Sequence, residues 1–266
     1  MKTDLLGIGG LTVAQIAAST CVSSEVPDSA DPKGLTMALR SGHDSLLEHI
    51  TLSFMIEGIS RVCLAQLTRH RHASFSVQSQ RYVPMSEKDI DVRRIIPGTS
   101  VDDEGHISVD WIQPKMIDPW VKYLDVDLDE LNQDCREVAR YMKGMGFKGE
   151  DIRYIYPQGV LTNLIMTCNF REFAHMCGLR RCARAQKEIR ILFDMMADKV
   201  CDRLRATVSS DDLMDELLRR LEPQCIQIGY CPEERTCGAM PRYSELRDAY
   251  FASRGSGCHT KGDDGQ

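Results

Sequence analysis

A chain of 266 residues can bury a substantial core, and 42% hydrophobic against 27% charged residues excludes a disordered polypeptide. A formal net charge of -6 excludes a general nucleic-acid binder, because sequence-independent grip on phosphate backbones needs a surplus of Lys and Arg. No stretch reaches the ~20 apolar residues of a membrane span, and Met1-Lys2-Thr3-Asp4 followed by Gly7, Gly9 and Gly10 does not read as a targeting segment, so the expected location is the cytoplasm.

Along the chain, Ile50, Leu52, Phe54 and Ile56 alternate with Thr51, Ser53 and Met55, which predicts a half-buried strand. It leads into Gly58-Ile59-Ser60, where Ser60 is placed to cap a short helix through Val62, Cys63, Gln66 and Leu67. From Val83 to about Trp120 the chain is loop-rich, with a hairpin expected around Asp102 to Gly105. A 3.6 period sets in at Asp127, where Leu128, Leu131, Cys135, Val138, Ala139 and Met142 share one face of a helix that Gly144 and Gly146 stop. The apolar run Val160 to Cys168 predicts a strand buried on both faces. A short helix over Phe170 to Leu179 is followed by a long one striped by Ala185, Ile189, Leu192, Phe193, Met196, Val200 and Leu204, and by another over Asp211 to Leu221. Residues 252–266, rich in Gly, Ser and Asp, are expected to form a mobile tail behind a single domain over 1–251.

The 11 cysteines are spread like small apolar residues, which suits a reducing compartment. Cys225, Cys231 and Cys237 stand apart, with five residues in each gap. They lack the two-residue gaps of zinc knuckles, so packing is the favoured reading, with zinc or redox chemistry left open and no metal assigned.

Chemistry concentrates between Arg69 and Arg81. Arg69, Arg71, Arg81, His70, His72, Ser74, Ser76, Ser79, Gln78 and Gln80 leave only Ala73, Phe75 and Val77 to bury, so a helix or strand built here would bury little. Guanidinium and hydroxyl groups in such density suit a donor wall for an anion. Composition alone leaves two alternatives open: a solvated basic loop that touches nucleic acid, or a metal-dependent hydrolase using His43, His49, His70 and His72.

Order narrows the choice. Arg69-His70-Arg71, seven residues, then Ser79 resembles the signature of the flavin-dependent thymidylate synthases, and Ala73-Ser74, Gln80, Arg81 and Tyr82 stand where that family has similar residues. Gly42-His43, Ser45 and Glu48-His49 resemble its upstream element, and Leu179-Arg180 with Ala185-Gln186 and Glu188-Ile189 its last motif; the likeness spans about residues 40 to 205.

The resemblance implies an α+β fold with a central, mainly antiparallel sheet flanked by helices, assembled as a homotetramer with active sites at subunit interfaces. It implies reductive methylation of dUMP to dTMP, with 5,10-methylenetetrahydrofolate as carbon donor and NADPH as reductant through bound FAD. FAD falls to Ser45, Arg69, His70, Arg71, Asn169, Arg171 and His175. The nucleotide falls to Gln66, Arg69, Gln78, Ser79, Gln80, Arg81, Arg153 and Arg180, with Arg180 the catalytic cation against the pyrimidine. Taken singly, Asn169 also suits a helix cap, Arg180 a helix-end cation, Arg153 a surface ion pair, and His175 an exposed helix face. The chain departs from the family pattern at Ser76, where Asn is common, at Val77, where an acid or amide is, and at Arg184, where His is frequent. No Gly-x-Gly-x-x-Gly segment follows a strand, so a flavin would not be held in the Rossmann manner.

Overall fold

The computed structural model describes residues 1–25, 27–83, 99–101, 107–109 and 128–253. In chain order it has β1 (Lys2–Gly9), α1 (Leu11–Thr20), α2 (Pro32–Arg40), a 3-10 turn (Asp44–His49), β2 (Thr51–Ser60), α3 (Arg61–Leu67) and β3 (Ala73–Val77). Then come β4 (Thr99–Val101), β5 (Ile107–Val109), α4 (Leu128–Gly144), α5 (Gly149–Ile152), a second 3-10 turn (Arg153–Ile155) and β6 (Leu161–Asn169). Last are α6 (Phe170–Arg180), α7 (Lys187–Thr207), α8 (Asp211–Arg219), α9 (Gln224–Ile228) and α10 (Tyr243–Ser253).

Four strands form one sheet in the order β1-β2-β6-β3, every neighbouring pair antiparallel. The expected α+β class with an antiparallel sheet is what forms. β4 and β5 pair as a small antiparallel ladder that brackets the expected turn at 102–105; the turn itself, residues 84–98 and 110–120 of the expected loop, and the tail from 254 lie outside the described residues. Residues 252 and 253 end α10. No helix among the described residues is long and apolar enough to cross a membrane.

In β2, Leu52, Phe54 and Ile56 are buried, as the alternation requires. The strand outlasts its prediction because a bulge at Glu57–Gly58 absorbs the break: Gly58 sits at φ 68 and its N–H donates to Asn163 Oδ1 at 2.9 Å. β6 corrects one expectation. Thr162, Leu164, Met166 and Cys168 are buried, but Asn163 and Ile165 point outward and are exposed, so the strand is buried on one face only. The apolar outward side chains Leu161 and Ile165 hide the period of two in the sequence.

The core lies between the inner sheet face and the helices. Phe54 on β2, Phe173 on α6 and Phe193 on α7 stack in succession, with centroids 5.1 and 6.1 Å apart. The stripe on α7 is buried from Ile189 to Leu204. Residues 1–40, for which no element was expected, form β1, α1 and α2. Gly10 opens α1 at φ 81, and a Cβ there would lie 1.9 Å from the His49 carbonyl oxygen, so only glycine fits.

Candidate functional site

The buried half of the site is built on α3. Ser60 Oγ accepts from Cys63 N at 3.0 Å, capping the helix as expected. Glu188, itself buried, accepts from Ser60 N at 2.7 Å and from Ser60 Oγ at 2.5 Å, tying this cap to the start of α7. At the other end a tight turn, with Arg69 N donating to Gln66 O and His70 N to Leu67 O, ends the helix. His70 is driven inward, 6% exposed, while Arg69, Arg71 and His72 stay in solvent.

Arg180, the last residue of α6, meets His70 there. Its Nε donates to His70 Nε2 at 3.0 Å and its Nη2 to Gln66 O at 3.2 Å, while Gln66 Nε2 donates to Gln186 Oε1 at 3.0 Å. Burial first, then the charges of Arg180 and His175, push the His70 pKa down to about 4, so the ring is neutral near pH 7. Because Nε2 accepts from Arg180, the ring proton is assigned to Nδ1, which faces Glu172 Oε1 at 3.6 Å. Burial also lowers the Arg180 pKa, opposed by Cys63 and assisted by Arg69, but a guanidinium remains a cation.

Beside this pair, Glu48, His72, Asn169, Arg171, Glu172 and His175 line a concave surface. Asn169 Oδ1 accepts from Glu172 N at 2.8 Å, so this side chain does cap α6, and Arg171 pairs with Glu48. His175 and Ser45 are exposed, Ser45 on the 3-10 turn that carries Glu48.

The second group sits at the far end of β3. This strand was missed, because the polar residues of the whole 69–81 segment outnumber its apolar ones; Ala73, Phe75 and Val77 pack against the core while Ser74 and Ser76 face out. Val77, the departure from the family pattern, is therefore an inward residue. Gln78 N donates to Asn163 O at 2.9 Å, and Gln78 O accepts from Arg61 Nη2 at 3.0 Å. Ser79 Oγ accepts from Arg81 N at 3.2 Å, shaping the turn that presents Gln80 and Arg81. Arg81 pairs with Glu150 at 2.8 Å, and Arg153 Nε donates to Glu150 O at 3.2 Å. Gly149 lets the chains touch: a Cβ there would lie 2.7 Å from Arg81 O.

Four cations of this group were not expected from the sequence. Arg61 is lowered in pKa by burial and then by Arg153, and its Nε has no partner among the described residues. Arg136, Arg140 and Lys143 line a cavity of about 410 Å³ with Gln80, Arg81 and Tyr82. Their spacing of four and then three residues puts them on one helix face, and that was the available signal. Arg184 pairs with Glu233 of the C-terminal segment.

An antiparallel sheet backed by helices, whose edge strand and helix ends gather arginines, histidines and amides, defines an α+β enzyme built to hold anionic, hydrogen-bond-accepting ligands. The sequence pattern of the family described as thymidylate synthase complementing protein matches residues 9–204. The chain belongs to the flavin-dependent thymidylate synthases. The enzyme of that name from Thermococcus kodakarensis is 37% identical over 201 residues, 75% of this chain and 71% of that one. The one from Nitratidesulfovibrio vulgaris is 34% identical over 222 residues, 83% of this chain and 81% of that one. A crystal structure of the Helicobacter pylori flavin-dependent thymidylate synthase, complexed with FAD and dUMP, shares the fold at a TM-score of 0.55 and 24% identity, covering 79% of this chain and 98% of that one. A UMP/dUMP methylase from Streptomyces cacaoi, bound with 5-Br dUMP, does so at 0.59 and 18%, covering 84% and 97%.

Proposed function

We propose that this chain, with residues 1–251 as its catalytic domain, converts dUMP to dTMP in de novo thymidylate synthesis in the cytoplasm, using 5,10-methylenetetrahydrofolate for carbon and NADPH as reductant through FAD. The observation that carries the reading is the Arg180 guanidinium, held by neutral His70 and the Gln66 carbonyl, with His70 in turn facing Glu172 of the donor-lined surface.

The donor set fits a flavin. His72, Asn169, Arg171 and His175 offer cationic and amide donors around one concavity, the chemistry that a pyrophosphate and ring carbonyls require, with Ser45, Arg69, His70 and Arg71 adjoining by sequence or turn. When bound, FAD supplies the hydride-transfer chemistry that no side chain can. For the nucleotide, Gln66 and Arg69 on the α3 side and Gln78, Ser79, Gln80, Arg81 and Arg153 on the β3 side supply the donors. Arg136, Arg140 and Lys143 add positive charge around Arg81. As C5 of the pyrimidine becomes nucleophilic, negative charge grows on the ring oxygens and N3, and Arg180 is the positioned cation that meets it. Reduction through a flavin leaves no need for a protein nucleophile, and Ser79 Oγ is already engaged in a turn.

The two groups lie at opposite ends of β3 and line separate cavities, which supports a homotetramer whose sites are completed by neighbouring subunits. The purified protein is expected to release FAD on denaturation and to oxidise NADPH faster when dUMP is present. A protein that neither carries nor takes up FAD would overturn the reading.

A further inference from the structure

We propose that the cavity between α4 and the turn at Arg81 holds the adenosine 2′-phosphate end of NADPH, with Arg136, Arg140 and Lys143 gathered on the phosphate. The proposal rests on the reading of NADPH as reductant, and it gives a site to a co-substrate that the residues placed around FAD and dUMP leave without one.

The cavity has a volume of about 410 Å³, and its described lining carries the cations Arg81, Arg136, Arg140 and Lys143 and no carboxylate. Glu150 of α5 is held by Arg81 at 2.8 Å and does not line it. Positions 136, 140 and 143 are four and three residues apart, so their Cβ atoms fall about 5–6 Å from one another on one helix face. Side chains as long as Arg and Lys can meet on a single ligand group from there. The Nε of Arg136 is buried and has no partner among the described residues, so the row still has a donor to satisfy.

The end of α4 supplies the other half of the recognition. Gly146, at φ 87, reverses the chain after the helix, with its N–H donating to Lys143 O at 3.0 Å and that of Phe147 to Met142 O at 3.1 Å. This turn sets Phe147 in the cavity wall, and Tyr82 joins it from the turn at Arg81. Both rings are exposed, and an exposed aromatic ring among cations is a stacking platform for a base.

Charge decides between the candidate ligands. The phosphate of dUMP already has Ser79, Arg81 and Arg153 under the proposed function, which leaves the cations of α4 over. Folate ends in carboxylates, and one forked guanidinium satisfies a carboxylate. A phosphate monoester carries nearly a double charge and takes several donors at once. Among the proposed ligands NADPH alone joins a base to a further, terminal phosphate, and an arginine beside the 2′-phosphate is how a protein tells NADPH from NADH. Anchoring at the adenosine end leaves the nicotinamide end free to reach a flavin.

The test is calorimetry on the full-length protein with adenosine 2′,5′-bisphosphate and with adenosine 5′-monophosphate, both with dUMP saturating so that neither fills the dUMP site. The bisphosphate is expected to bind more tightly by on the order of tenfold or more, the scale of charge-assisted bonds to one phosphate. Arg140→Ala and Lys143→Ala change exposed residues, and each should remove most of that difference. Both should also lower the preference for NADPH over NADH in flavin reduction, with a far smaller effect on dUMP. Equal binding of the two adenosine ligands, variants that weaken dUMP or methylenetetrahydrofolate instead, or an NADPH preference unchanged by both substitutions would each overturn the proposal. Should a variant fail to fold, the wild-type comparison of the two adenosine ligands decides alone. The calorimetry reads neither flavin nor turnover: a protein without FAD that still prefers the bisphosphate would lose the thymidylate reading and keep this site, and one that turns over dUMP without that preference would do the reverse.

Discussion

Arg180 combines two bonds that only a forked, planar cation can make at once, from Nε to a ring nitrogen and from Nη2 to a backbone carbonyl. Lysine keeps the charge and loses the fork. Arg180→Lys is therefore expected to lower turnover by on the order of 10²-fold, the scale of losing one preorganised donor, with little change in melting temperature. Turnover within a factor of two of wild type would remove Arg180 from its role. The partner ring makes a second prediction. Burial and neighbouring charge hold His70 down at about 4, from 6.5. Between those values the unfolded chain takes up a proton that the folded chain refuses, so this residue costs stability progressively as pH falls from 6.5 towards 4 and costs none above. His70→Gln keeps an acceptor for Arg180 and removes the titration. Its denaturation midpoint should fall less steeply over that window than the wild-type midpoint, and parallel curves would show that His70 does not titrate there.

At the scale of elements, the site depends on how α3 is anchored. Ser60 caps that helix and at the same time donates to the buried carboxylate of Glu188 on α7. Ser60→Ala removes both bonds and leaves Glu188 with one protein donor fewer. The expected cost is about 2 kcal/mol, more than the ~1 kcal/mol of an exposed cap, because a buried carboxylate loses a partner. Chemical denaturation measures it; a loss no larger than that at Ser210→Ala, which caps α8 by the same bond to Leu213 N, would show that the Glu188 contact contributes nothing.

The whole molecule leaves apolar surface uncovered. Ile165 on the outer sheet face is 38% exposed, and Val138 and Tyr141 on α4 are 48% and 69% exposed, although the helix is amphipathic. Such surface on a helix and a sheet suits burial between subunits. Under the proposed homotetramer, the Arg180 group of one chain meets the Arg81 group of another. Arg81→Ala and Arg180→Ala chains, each inactive alone, should then recover activity when dissociated and reassembled together, because some mixed sites receive both arginines. A mixture no more active than its components would mean that both arginines of a site come from one chain.

Local periodicity was enough to set the elements whose faces it writes. The stripe from Ile189 to Leu204, the alternation through Phe54, the Ser60 cap and the α6 start at Asn169 all formed where their residues required. The order of Arg69-His70-Arg71, Ser79 and Arg180 carried the family. Tertiary structure alone decided which of these side chains share a space. His70 and Arg180 are 110 positions apart, and nothing local shows that one is buried against the other. Likewise Arg136, Arg140 and Lys143 acquire a role only where α4 reaches the turn at Arg81, and Cys182 meets Cys225, Cys231 and Cys237 only where the C-terminal segment folds back on α6. The physical reason is the same in each case: periodicity tells a residue which side of its own element it faces, whereas its neighbours across space are set by the packing of the whole core.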